Sequence, residues 1–304
     1  MNKKVIIWGH KLGSHTHSYV HNGYYRASQY LGYDTYWFSD DDNVESFDFS
    51  NSIFITEHNV RARMPIRDDC IYFDHFCDDV FKLTPSRPVH PNYYNFAFFA
   101  DGWNWPDSGE LEEFGAKHFL HKSTNTITTI WATDLLPNEI DSLEPKLHDE
   151  SLELIYFIGT PQGTNIQRFE AVCNANNKHF QKVGGWLGID QRTSPSIEQN
   201  VQYVRDSYVS VDIREAVHLD QGRYYPCRLF KNISYGRWTG SNQPELSDVF
   251  GDHYTADSNV ESLYYKLVED SRNCTYEKLK DAMNLMRDHH TYVSRIKSMF
   301  SILN

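Results

Sequence analysis

The sequence predicts an α/β protein: two Rossmann-like, doubly wound domains facing each other across a cleft. Three observations predict it. Short apolar runs of the buried-strand type recur along the chain, spaced far enough apart for the crossovers that parallel strands need. Segments between them have helical character, and the first, residues 19–31, is closed by Gly32 where a C-terminal cap belongs. Finally, a polar and acidic stretch over 135–153, with Pro137 and Pro145, separates two alternating halves and reads as an interdomain linker.

The elements follow in order. Residues 4–9 form the first strand and 19–31 the first helix. Strands follow at 34–38, 52–56, 70–73, 94–100 and 126–132. The second half opens with the strand at 154–160, then a helix at 165–176, a strand at 179–183 and a helix at 196–207. A strand at 209–213, a helix at 228–235 closed by Gly236, and a helix at 260–270 come next. Residues 276–303 make one or two amphipathic helices, with Met283, Met286, Val293, Ile296 and Phe300 as one buried stripe. The domains expected are 1–145 and 146–283, with 284–304 as a terminal segment. Ligands of doubly wound sheets sit beyond the carboxyl ends of the strands, so two such ends make a two-substrate site.

Composition narrows the function. The chain has 304 residues, with 29 Lys and Arg against 41 Asp and Glu, a formal charge of −12. A nucleic-acid or acidic-membrane binder leans the other way. No apolar run approaches the roughly 18 residues of a membrane span. The start of the chain reads as a strand and not as a signal peptide. Five scattered cysteines without a CxxC pair suit reduced thiols and a cytoplasmic location. Aromatic residues at 15% suit either a tyrosine-rich core or platforms for sugar and base rings.

The loop from Gly9 to Ser18 lies between the first strand and the first helix. It is neither GxGxxG nor GxxxxGK[ST], which argues against a dinucleotide enzyme and a P-loop NTPase. Its Ser14, His15 and His17 at a helix N-terminus suit an anion or a sugar. His15 and His17 lack an obvious third ligand, so no metal site is expected. Asp74, beside His75, ends a strand at the place where a general base belongs, and Glu57, followed by His58, is its competitor. Asp134 reads as structural, and the run Asp40, Asp41 and Asp42 as a solvated turn.

The most informative stretch runs from Asp220 to Gly236. Pro226 is placed near a helix start, and Arg228 and Lys231 fall three residues apart on one face of its first turns. Two cations with helix-start N–H groups make a diphosphate clamp.

The phrase from Pro226 to Gly236 resembles the R-x-F-E-x-x-x-x-G helix of GT-B nucleotide-sugar glycosyltransferases. Asp248-Val-Phe, the helix at 260–270, the segment from His290 to Arg295 and Ile158-Gly159-Thr160 are similar to that family in order and spacing. Retaining members carry two glutamates on this motif; the matching positions here are Arg223 and Lys231, which favours an inverting enzyme. The histidine-rich loop and Asp74 resemble small virus-encoded, chlorovirus-type glycosyltransferases such as a xylosyltransferase.

The resemblance implies a viral hexosyl- or pentosyltransferase that moves a sugar from a nucleoside-diphosphate sugar to a glycan or glycoprotein hydroxyl. UDP-sugars are favoured, UDP-xylose among them. The N-terminal domain would hold the acceptor at Ser14, His15 and His17, with Asp74, His75 and Glu57 supplying the base. The C-terminal domain would hold the donor through Arg228, Lys231, Arg223 and Gly159, with Trp186 and Tyr224 stacking on the base ring. Residues 284–304 would pack back on the N-terminal domain. Neither a metal nor another cofactor is expected. The alternatives are a non-catalytic carbohydrate-binding protein on a GT-B shell and a non-hydrolysing sugar-nucleotide epimerase.

Overall fold

The computed structural model describes residues 4–15, 17–75, 90–98, 111–115, 118–159, 163–186, 192–193, 195–215 and 225–303. The chain divides into two compact units, Met1–Ile130 with Tyr292–Asn304, and Trp131–Thr291.

Unit 1 contains β1 (Lys4–Trp8), α1 (Ser18–Tyr30), β2 (Asp34–Phe38), β3 (Ile53–Glu57), β4 (Ile71–His75), β5 (Tyr93–Phe98), β6 (Leu111–Gly115), β7 (His118–His121) and β8 (Thr126–Thr129). They form one sheet in the order β2-β1-β3-β4-β5-β8-β7-β6. The strands from β2 to β8 in that order are parallel, and β7 and β6 add an antiparallel hairpin that the sequence did not announce. β1 and β3 are apolar along most of their length because a central parallel strand is covered on both faces. One face carries a core of Ile6, Trp8, Phe54, Tyr72 and Tyr93 against Phe49, Met64 and Cys70. On the other face lies α1, which ends as Gly32, at φ +81°, turns the chain so that the Gly32 and Tyr33 amides donate to Gln29 and Ser28 carbonyls.

Strand order reverses between β1 and β3. The chain leaves β1 toward β2 on one side and comes back with β3 on the other, which opens a crevice at their carboxyl ends.

Unit 2 contains α2 (Pro137–Asp141), β9 (Leu154–Ile158), α3 (Thr164–Ala175), β10 (His179–Val183), β11 (Gly185–Trp186), β12 (Arg192–Thr193), α4 (Ile197–Arg205), β13 (Ser210–Asp212), α5 (Cys227–Ser234), β14 (Thr239–Ser241), α6 (Ser247–Phe250), β15 (Thr255–Ala256), α7 (Val260–Asn273) and α8 (Tyr276–His289). β10 is parallel to β9, and β13, β14 and β15 form a second parallel set. The Tyr208 amide donates to the Leu154 carbonyl at 2.7 Å, and Ile155, Phe157, Val209 and Val211 share one core, so β13 lies beside β9. The sequence of neighbours, β10-β9-β13-β14-β15, repeats the β2-β1-β3-β4-β5 of unit 1.

The expected linker over 135–153 is not the boundary; the chain passes between units at Ile130 and Trp131. Leu135 and Ile140 are buried, the Lys146 amide donates to the Gly236 carbonyl at 2.8 Å, and buried Arg237 donates to the carbonyls of Lys146 and Leu147. The stretch is polar because it is a surface band tied down by hydrogen bonds.

The last helix, α9 (Tyr292–Ser301), belongs to unit 1 and packs on α1. A Cβ on Gly23 would fall 2.2 Å from the Tyr292 ring, so only glycine admits that contact. Tyr24 meets Tyr292 at 4.8 Å between ring centroids, and Phe300 rests on Phe73 and Tyr33. The expected terminal segment therefore starts at 292 and not at 284. Its expected stripe is split, because Met283 and Met286 are buried in α8, which packs on α2 and α5 in unit 2. Among the described residues no helix is long and apolar enough to cross a membrane.

Candidate functional sites at the strand ends

In unit 1 the crevice collects imidazoles. Glu57 ends β3 and His75 ends β4, and the parallel register sets them side by side. Side chains alternate along a strand, so Glu57 and His75 share the α1 face while Asp74 points to the other. Glu57 is fully buried; its Oε2 lies 2.9 Å from His17 Nδ1 and 3.5 Å from His21 Nε2. His17 is the N-terminal cap residue of α1, which places its ring over the strand ends.

Gly9 has no side chain because the His21 ring fills that space, 2.4 Å from where a Cβ would stand. His75 stacks on Phe96 and meets Phe98 edge-on, with its ring 5.3 Å from that of His17. His10 stacks on His15 at 4.1 Å. Burial pushes the Glu57 carboxyl up, but the His17 hydrogen bond and the nearby imidazoles outweigh it and bring it down to about 2. Burial lowers His21 to about 3 against the pull of Glu57, so its ring is neutral at neutral pH.

The donor atoms of His17, Glu57 and His75 lie within 4.8 Å of one another, as do those of His10, His15 and Glu57. His15 and His17, close together in the loop, fall into separate groups, and Glu57 is common to both. Ser14 stands apart, exposed, with its hydroxyl donating to the Lys11 carbonyl at 2.7 Å.

Asp74 does not join this group. Its Oδ2 is 2.5 Å from Arg61 Nη1 and accepts from the Tyr93 hydroxyl at 2.7 Å, all on the opposite face. Burial raises its pKa against the pull of Arg61. It is a buried ion-pair partner, which corrects its expected place beside His75 and Glu57. The aspartates at 40 and 42 clasp a loop: Asp40 accepts from the Trp8 indole and the amides of Ala62 and Arg63, and Asp42 from the Ser39 amide.

Unit 2 repeats the geometry with guanidinium groups. Gly159 follows β9 at φ +127°, and Arg228 Nη2 lies 2.6 Å from the position of a Cβ there. Arg228 Nε donates to the Ile158 carbonyl at 2.7 Å, its guanidinium covers the Phe157 ring at 4.1 Å, and Nη1 pairs with Asp212 at the end of β13. Arg214 Nε donates to the other oxygen of Asp212 at 3.0 Å. Asn242 brackets the Arg214 peptide with two hydrogen bonds of 2.8 Å.

Arg228 and Lys231 do not converge as the expected clamp. Lys231 Nζ turns to Asp134 Oδ2 at 2.7 Å, whose Oδ1 accepts from the Tyr235 hydroxyl at 2.6 Å. Asp134 is thus buried between Lys231 and Tyr235. The start of α3 is capped by the Glu215 carboxylate, which accepts from the amides of Asn165 and Ile166 and lies against Gly163. Asp212, Arg214 and Glu215 were missed; the signal was a carboxylate within the strand at 209–213 and charged residues directly after it. Arg223 and Tyr224 lie outside the described residues, as does the side chain of Trp186.

Compared with known proteins, the sequence matches no family model and no curated protein.

Proposed function

We propose that the chain is an inverting nucleotide-sugar glycosyltransferase whose two units are the two halves of a GT-B enzyme. The observation that carries this reading is the carboxyl edge of β9 and β13. There Gly159 leaves backbone without a side chain, and Arg228 and Arg214 gather on one buried carboxylate. A switch point between parallel strands is where doubly wound units bind nucleotides. A guanidinium matches diphosphate oxygens bidentately. In this reading Arg228 carries the donor diphosphate beside Gly159. UDP-sugars, UDP-xylose among them, are the donors to try first.

Unit 1 supplies the acceptor side. His17 Nδ1 facing the buried Glu57 carboxylate is a base held in one orientation, and it replaces Asp74 in that role. The acceptor hydroxyl gives its proton to the other nitrogen of His17. Its oxygen forms a bond to the anomeric carbon as the bond from that carbon to phosphate breaks. The electron pair leaves with the nucleoside diphosphate, whose charge Arg228 stabilises. This route uses only side chains of the chain.

Calorimetry with UDP and UDP-xylose, followed by a transfer assay on glycan acceptors, tests the reading. Arg228→Ala should weaken diphosphate binding by about 1.5–3 kcal/mol, the scale of a charge-assisted contact. Absence of binding by every nucleoside diphosphate would overturn it. Conversion of donor sugar without an acceptor would replace it with the epimerase reading.

A further inference from the structure

We propose that His17, Glu57 and His75 form a binding site for one divalent transition-metal ion of the zinc class. Two imidazoles and one carboxylate are the donor set of zinc sites that keep a coordination position open, and of facial triads for other first-row ions. Their donor atoms already lie within 4.8 Å of one another.

An independent observation points to a cation. Glu57 is fully buried, and its Oε1 has no hydrogen-bond partner among the described residues. A buried carboxylate oxygen without a partner is costly, and a metal ion is one of the few groups that settles it. The surroundings suit ligation as well. Phe96 and Phe98 fix the His75 ring, strand register fixes Glu57, and the His21 ring sits 3.5 Å from Glu57 Oε2.

Between His17 and Glu57 the ion needs little movement. Tetrahedral ligands about 2.0–2.1 Å from zinc are roughly 3.3 Å apart. His17 Nδ1 and Glu57 Oε2, at 2.9 Å, must part by only a few tenths of an ångström. The His17 side chain is 23% exposed, which gives the ion and a further ligand a way in. The set of His10, His15 and Glu57 is second choice, because those two rings are stacked on each other. One corollary alone rests on the transferase reading: a ligated His17 cannot act as base, so the ion would switch transfer off.

The test is metal binding by the untagged full chain, scored without donor, acceptor or turnover. A failed transferase reading therefore leaves its result intact. Cobalt(II) titration should give visible d–d bands saturating at about one equivalent, and zinc should displace it. Loss of a ligand should weaken cobalt binding by about 10²-fold or more, since even residues behind a ligand cost 10–100-fold. That is expected for Glu57→Gln, His75→Ala and His17→Ala, and not for His179→Ala in unit 2. His17→Ala lies at the rim and keeps the test open should a buried variant fail to fold. No cobalt spectrum in the wild-type chain would overturn the proposal. So would wild-type affinity in folded His17→Ala, or loss confined to His10→Ala and His15→Ala.

Discussion

Asp74 and His75 are neighbours in the chain and strangers in the fold, because one step along a strand turns a side chain to the other face. Their substitutions should separate accordingly. Asp74→Asn leaves Arg61 buried beside a neutral group, and breaking such a pair costs about 3–5 kcal/mol. Urea unfolding should show that loss, while turnover per folded molecule changes little. Glu57→Gln should do the reverse in a transfer assay: donor affinity near wild type, and turnover down by about 10²–10⁴-fold, the worth of general-base catalysis. Equal turnover losses in both variants would show that this division is wrong. The strand-end positions of Glu57, Asp74 and His75 were legible in the sequence. Their division between faces was also legible, since Tyr72 and Asp74 alternate with Phe73 and His75. The partnership of His17 with Glu57 was not, because it depends on α1 folding back over β3 and no local spacing encodes that.

Among the elements, those with apolar runs stood out in the sequence within a residue or two. β1, β3 and β9 are examples. β14 was missed because Thr239-Gly-Ser has no apolar residue to mark it; buried hydroxyl bonds hold it, from Asn232 to Thr239 and from Thr239 to the Ser210 carbonyl. The split between α8 and α9 was hidden because both carry the same helical stripe. The α1–α9 contact gives an element-scale prediction. Gly23→Ala forces a methyl into the Tyr292 ring and should cost about 1–3 kcal/mol, the range for overpacking. Removing residues 292–304 strips cover from Tyr24, Tyr33 and Phe73 and should leave an aggregating protein. Light scattering and a thermal melt check both, and a soluble truncated chain with an unchanged melt would contradict the packing described.

At the scale of the whole molecule, acid should act unevenly. Burial brings His21 and His118, both in unit 1, down to about 3 from an ordinary value of 6.5. Each is less basic folded than unfolded, so its contribution is complete above pH 6.5 and lost as pH falls toward 3. The slope is about 1.4 kcal/mol per pH unit for each, or about 2 kcal/mol each by pH 5. Glu57, depressed to about 2, adds to the loss below about 4.5. Peptide-resolved hydrogen exchange, corrected for intrinsic rates, should show α1 and β7 losing protection between pH 7 and 5. β9 and β10 in unit 2 should keep theirs, and equal losses in both would refute the assignment.

The return of α9 also bears on how the chain is made. Unit 2 is continuous, whereas unit 1 is assembled from segments on either side of it. On the ribosome the sheet of unit 1 emerges first, yet the helix that covers Phe73 and Tyr24 is translated only after all of unit 2. At about 5–20 residues per second, the 161 residues of Trp131–Thr291 keep that apolar face waiting for roughly 8–30 seconds. Unit 1 completes its packing only after that, and in the interval this face has no cover from the helix that later seals it.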